Sequence, residues 1–420
     1  MKKLILGFIL ILTTIFSFGQ VENETDTLRK DALRVYMESD DFIRQEIPYI
    51  NYVRDIKDAQ VYIINSNQRT GSGGEEFTFY LVGQHKFEGM KDTLQFVSSP
   101  DNTEDQIREL KVNTIKQGLM RYVQTTPLAK HISISFDQPM SQEVTTDNWD
   151  SWVFRTSVNG FLNGQKTYNS NRIFGSVSAN RITPEWKMDF GADYSFNLDR
   201  FEIEEEIIKS VNQSKSFETL IVRSLGEHWS AGGTTKIRSS SFSNYKLKIS
   251  AMPGIEYDLY PYSESTRRQL RLLYSAGYIY QSYMDTTIYD KLEEHLWGHS
   301  LSAAYQVVQK WGSIDLTMNW FNYLNDFSKN NLSLSGNMSI RIAKGLNFNF
   351  GGGASLIHDQ LALVKSGAST EEILLRRKEL ATAYQYFTYF GLSYTFGSIY
   401  NNVVNPRFGS SSGGMQIIIN

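Results

Sequence analysis

A histidine and a serine two residues apart on one β-strand point to the same side, where an imidazole can take the proton of a hydroxyl nucleophile for acyl transfer. His131-Ile132-Ser133 has this spacing, on a strand or linker, but no evident acidic or amide partner orients the ring. His299-Ser300-Leu301-Ser302 puts both serines on the face opposite the histidine, so an ordinary strand is the better reading. His85, His228, His295 and His358 are scattered and show no HExxH-type metal spacing. Thr70-Gly71-Ser72-Gly73-Gly74 lacks the Lys-Ser/Thr of a phosphate loop and leads into a strand, which makes it a hairpin turn. The chain has no cysteine, which removes thiolate metal sites, disulfides and lipidation of an N-terminal cysteine. No catalytic residue, cofactor or metal is therefore expected.

The remaining chemistry lies in charges set one apart from apolar neighbours. Arg155, Arg172, Lys187, Asp189, Asp193, Lys236, Arg238, Lys246, Lys248, Glu256, Arg271, Asp315 and Arg341 all sit in segments of alternating character. Ile314-Asp315-Leu316-Thr317-Met318-Asn319-Trp320 is the clearest of these, with Asp, Thr and Asn on one face and Ile, Leu, Met and Trp on the other. The elements that must carry the charges are strands near 151–163, 167–181, 184–201, 214–225, 228–240, 244–259, 268–284, 296–309, 313–325, 330–343, 345–358 and 383–397. No matching set of core helices exists to cover the apolar face. A twelve-stranded antiparallel transmembrane β-barrel solves this, because lipid covers that face and closure removes free edges. The thirteen charges then line the lumen, since a cation on the lipid side costs about 2–4 kcal/mol at the midplane. They lean basic, which suits either a salt-bridged plug or a path for anions.

Connection lengths orient the barrel, because bacterial barrels have short periplasmic turns and longer outer loops. Residues 183–184, 225–227, 310–312 and 344–345 are tight, whereas 202–215, 285–295 and 359–382 are the longest links; those near 163–164 and 242–244 are short. Ser369-Thr370-Glu371-Glu372 is a capping-box pattern, followed by Arg376, Arg377 and Lys378, and predicts a helix to about Ala381, read as a cap over the barrel mouth in preference to a constricting or ligand-contacting helix.

The N-terminus reads as an export signal over residues 1–20: Lys2 and Lys3, an apolar stretch from Leu4 to Phe16, and small residues before a cleavage site near Gln20. No other apolar run is long enough for a spanning helix. A mean hydropathy of −0.35 fits lipid-facing and lumen-facing residues averaging out. With 24 Tyr, 25 Phe and only 8 Pro, the composition suits aromatic girdles and uninterrupted strands. A net charge of −3 without blocks of Lys and Arg argues against nucleic acid.

Residues 28–146 form a separate α+β domain, placed in the periplasm by chain order. It carries a first strand at 33–37, a helix over 41–52 strained by Pro48, and strands at 59–64, 77–84 and 93–98. A helix capped by Asn102-Thr103-Glu104-Asp105 then runs to about Tyr122. The barrel occupies 150–398, and the tail 399–420 either pairs with this domain or is disordered.

This order of elements resembles the small α/β domain at the N-terminus of the TolB family. Ile43-Arg44-Gln45-Glu46-Ile47, Tyr52-Val53-Arg54-Asp55, the glycine-rich turn at 70–74 and the ending Tyr394-Thr395-Phe396-Gly397-Ser398 through Asn405-Pro406-Arg407-Phe408 resemble an uncharacterised family of bacterial exported barrel proteins. The family often has a cysteine pair near the end of its first strand, where this chain has Met37 and Ser39. The resemblance implies a barrel in the outer membrane and carries no activity. Three functional classes follow as expectations. The preferred one is a non-enzymatic outer-membrane barrel, in contact with outer-membrane lipid, whose residues 28–146 dock another envelope component. The second is a diffusion channel for small solutes, anions among them, and the third a membrane-embedded lipid-modifying enzyme.

Overall fold

The computed structural model describes residues 31–71, 73–132, 147–203, 206–365 and 380–400. The N-terminal domain begins with β1 (Arg34–Tyr36), α1 (Asp41–Glu46) and β2 (Asn51–Tyr52), continues through β3 (Val61–Arg69), β4 (Glu75–Gly83) and β5 (Lys91–Ser98), and ends on α2 (Glu104–Val123). Its sheet has the order β2-β1-β3-β4-β5, with β1 parallel to both neighbours and the rest antiparallel. Thr103 opens α2 with a full capping box: its Oγ1 accepts from Gln106 N–H, and Gln106 Oε1 accepts from Thr103 N–H at 2.9 Å. Val112, Ile115, Leu119 and Tyr122 recur at helical spacing on the buried stripe of α2. They pack with Leu33, Val35, Phe79 and Leu81 into one core. Gly118 permits the close approach, since a β-carbon there would lie 2.6 Å from Leu94 Cδ1. The helix expected over 41–52 stops at Glu46, because Pro48 cannot continue it and biases Ile47 out of helical geometry; Asn51 and Tyr52 are strand instead.

The rest of the described chain is one twelve-stranded antiparallel meander in which every strand pairs with its sequence neighbours. The strands are β6 (Trp152–Gly164), β7 (Tyr168–Ile182), β8 (Trp186–Ile203), β9 (Glu206–Ser224), β10 (Trp229–Ser240), β11 (Tyr245–Asp258), β12 (Arg268–Tyr283), β13 (Glu293–Gln309), β14 (Gly312–Tyr323), β15 (Asp326–Ala343), β16 (Leu346–Ile357) and β17 (Tyr384–Tyr394). Strand count and phase agree with the expectation. β6 and β17 are each paired on one side only, so hydrogen-bonded closure is not part of the observed ladder. No described helix is long and apolar enough to cross a membrane, a fact that says nothing of strands.

One expected loop is strand. Residues 202–215 extend β8 and β9 into a long hairpin paired up to Ile203 and Glu206, where β-branched Ile207, Ile208 and Val211 favour strand over loop. Residues 259–267, between β11 and β12, form a long connection on the side expected to carry tight turns. The length asymmetry therefore reduces to residues 284–292 and 358–383. The helix expected from Ser369 to Ala381 falls mainly on residues 366–379, outside the described residues.

The N-terminal domain seats on one end of the sheet. Its helix-free face meets the turns after β7, β11, β13 and β15 and the end of β17. Tyr80 OH and Thr266 Oγ1 are 2.7 Å apart, Ser66 Oγ donates to Thr266 O at 2.5 Å, and Arg267 stacks over Tyr80. Lys344 pairs with Asp58 at 2.7 Å, and Gly345 N–H donates to Asp55. Arg54 N–H donates to Ile399 O at 2.9 Å, and Val53 bridges Tyr400. Gly71 lies so close to Ile182 of β7 that a β-carbon would clash with it.

These contacts fix the curvature of the sheet. The ends of β7 and β17 are ten strands apart, about 48 Å in a flat sheet at the usual strand spacing. One domain of about 100 residues, roughly 35 Å across, touches both. The sheet is therefore curled.

Candidate functional site

Residues opposite one another in an antiparallel ladder share a face, so the register sorts the charged side chains. From Arg155 the row runs through Ser178, Gly191, Glu218, Lys236 and Ser250. From Asp258 a second runs through Arg271, Ala304, Thr317, Ser335, Gly353 and Phe387. Counting by twos from these rows places Arg172, Lys187, Asp189, Asp193, Arg238, Lys248, Glu256, Asp315 and Arg341 on the same polar face. Lys246 is the exception: it sits in the irregularity between Tyr245 and Leu247, has no ladder partner and is exposed.

The same face holds four acids that the sequence reading missed: Asp199, Glu218, Asp258 and Glu294. Among the described side chains in regular ladder positions, eight basic groups (Arg155, Arg172, Lys187, Lys236, Arg238, Lys248, Arg271, Arg341) thus meet eight acidic ones, the four expected and these four. The expected basic lean is absent. The signal was available for Glu218, Asp199 and Asp258, which lie inside the strands expected at 214–225, 184–201 and 244–259, whereas Glu294 falls within the loop expected over 285–295. Pairing follows the balance. Lys236 bonds Glu218 at 2.7 Å, Arg271 approaches Glu256 at 3.9 Å, and Ser216 donates to Asp193 at 3.5 Å. Arg238 lies opposite Lys248, whose ammonium is 4.9 Å from the Tyr245 ring centre.

At the end away from the N-terminal domain the polar face turns apolar. Ile279, Leu296 and Tyr323 are buried there with Leu361 from the connection after β16, and Phe321 packs against them. The connection is tied down by Asn244, which donates to Ala362 O and Asp285 O at 2.9 Å each, and by Ile288 N–H to Leu363 O at 2.8 Å. Tyr283 OH donates to Glu294 at 2.6 Å, and Gln281 donates to Tyr323 OH at 2.9 Å. Strand β12 announced this by carrying Tyr278 and Tyr280 in one phase and Ile279 and Tyr283 in the other, apolar on both faces.

The opposite face of the sheet is apolar and bare: Val158 is 77% exposed, Phe390 78% and Leu334 53%. His299 belongs to it, 3.2 Å from Tyr274 OH and edge-on to Trp320, while Ser300 bonds Ser275 on the polar face. His131 ends a 3-10 turn (Pro127–His131) rather than lying on a strand, and Ser133 is outside the described residues. Neither pair makes a dyad within the described residues. β3 and β4 meet in the expected hairpin, with Thr70 N–H donating to Gly74 O at 2.9 Å and Gly73 at φ 81°, a value that favours glycine.

Burial raises the Tyr52 phenol above its ordinary value, as it does for Tyr122, which also donates to Asp92 at 2.9 Å. Both belong to the N-terminal core and have no place in the polar face. No protein-family model matches the chain, and no curated protein matches it. The geometry alone therefore carries the functional reading.

Proposed function

We propose that this chain is a non-enzymatic outer-membrane β-barrel protein, closed by β6 against β17, whose N-terminal domain covers the periplasmic mouth and offers its outer side to another envelope component. The observation that carries the reading is the two-faced, curled meander: apolar side chains point away from the curl with no protein layer over them, which lipid satisfies. The docked end is the end with the even-to-odd turns, as chain entry from the periplasm requires. The balanced charges and the inward-packed Leu361 favour a filled interior over an anion path. The side of the domain formed by α2 and by the edge strand β5 faces away from the sheet and is left for a partner.

The cysteine-free chain allows a direct test of closure. Asn159→Cys is combined in turn with cysteine at Gln385, Phe387, Tyr389, Gly391 and Ser393, all on the polar face, and oxidised in vesicles. One register is expected to cross-link; failure of all five in folded protein sinks the barrel. Planar-bilayer recording tests the filling: no unitary conductance is expected, and ion-selective steps would favour the diffusion channel instead.

A further inference from the structure

The five-stranded sheet of the N-terminal domain has β2 as its outermost strand on one side, and after β17 the chain returns to it. Val53, the residue after β2, donates its N–H to Val35 O at 2.9 Å, toward β1. Backbone groups alternate sides along an extended chain, so those of Arg54 point away from β1. Arg54 N–H accordingly meets Ile399 O at 2.9 Å, and Val53 and Tyr400 form an antiparallel bridge. Arg54 Nη1 adds a bond to Phe396 O at 3.3 Å.

A groove of about 670 Å3 adjoins this bridge, and Tyr400 itself lines it. Asn51 and Arg34, opposite one another in the β1–β2 ladder, line it too, with Gln60, Lys86 and Thr126. Such a polar lining suits a hydrogen-bonding backbone with amide side chains better than an apolar segment. Residues 401–420 lie outside the described residues, and their sequence begins Asn401-Asn402-Val403-Val404-Asn405-Pro406. Two amides lead, two β-branched valines that favour strand follow, and Pro406 has no N–H with which to prolong a ladder. Carried on from Val53 and Tyr400, the antiparallel register sets Asn401 against Tyr52 and Asn402 against Asn51.

We propose that the occupant of this groove is the chain's own tail, with residues 401–405 added to β2 as a sixth, antiparallel strand. The tail then straps the N-terminal domain to the end of β17 through backbone bonds, and β5 becomes the one original edge strand of that sheet left for a partner. The strap does not require β6 to meet β17. Full-length protein carrying Asn51→Cys with Asn402→Cys is oxidised in detergent, beside Asn51→Cys with Val403→Cys and beside Val53→Cys with Tyr400→Cys. Directly opposed residues of an antiparallel pair have Cα atoms about 4.5–5.5 Å apart, within disulfide reach. The Asn402→Cys pair is expected to close at least about tenfold faster than the Val403→Cys pair, whose side chain falls on the other face, and at a rate near that of the 53–400 pair. Asn51 is buried, so a second measurement leaves it intact. Truncation after Tyr400 should raise hydrogen exchange of the β1 and β2 amides at least about tenfold over the full chain. Asn402→Cys closing no faster than Val403→Cys overturns the proposal. So does unchanged exchange in the truncated chain, which would leave the groove to a strand from another protein.

Discussion

The N-terminal domain and the twelve-stranded sheet use the same alternation and arrive at opposite outcomes. In the domain, Val35, Val61 and Leu81 are fully buried under α2, while the other face of that sheet seats on the turns of the meander. In the meander, the polar face is inside the curl and the apolar face is bare, with Phe154 60% exposed and Phe390 at the free edge. Period two fixes which residues share a face but not which face is inside; that depends on what else the chain supplies. Among the described residues there is one long helix, α2, and the domain takes it. No described helix is left for the apolar face of the meander, and on the proposed function a bilayer would cover all of its strands at once.

The largest effect should come from the domain core. Leu119→Ala removes a fully buried side chain from the α2 stripe and is expected to destabilise the domain by about 2–5 kcal/mol. Denaturant melts followed by limited proteolysis of residues 31–132 would measure it. The meander should keep its fold; its joint loss would break the comparison and make the two regions one cooperative unit. Next comes Leu334→Arg, on the bare face. Expected folding in lipid vesicles is weaker by about 2–4 kcal/mol if that face meets lipid, whereas a water-exposed Leu334 would tolerate arginine with almost no loss.

Alkali separates the regions by a different route. The Tyr52 hydroxyl donates to Ile43 O and Ile47 O at 3.2 Å each, and burial holds its pKa above the ordinary 10.0. The folded state therefore keeps a proton that the unfolded state releases, so this stability is complete below pH 10 and declines as pH rises beyond it. Domain melts at pH 8 and pH 11 should show the decline in the wild type and a smaller one in Tyr52→Phe. Equal declines would assign the alkaline loss to other groups.

Much of this was legible in the sequence. All twelve strands of the meander were, because their alternation is local and uninterrupted. So were the capping box at Thr103 and the hairpin at Gly73. Three things were not. Glu294 was hidden because β13 begins before the point where turn-like polarity ends. The apolar phase of β12 hints at a cluster, but that Leu361 covers it depends on a connection crossing the polar face, which no strand pattern encodes. The docking face of the N-terminal domain was hidden too, since Tyr36, Ser66 and Tyr80 read as ordinary solvent-facing residues until the turns of the meander are set against them.

That docking face also predicts the smallest effect. Lys344 and Asp58 form a 2.7 Å ion pair across the two regions, with the lysine side chain 52% exposed. Exposed pairs contribute about 0–1 kcal/mol, and salt screens them. The neutral hydrogen bonds of Ser66 and Tyr80 to Thr266 are part-buried and should carry more of the contact. Lys344→Ala is thus expected to raise hydrogen exchange in β3 and β4 by less than about fivefold, and Tyr80→Phe with Ser66→Ala by more. The reverse order, or a Lys344→Ala effect that vanishes in high salt while exceeding the double substitution in low salt, would make the seat of the domain electrostatic and therefore releasable by ionic strength.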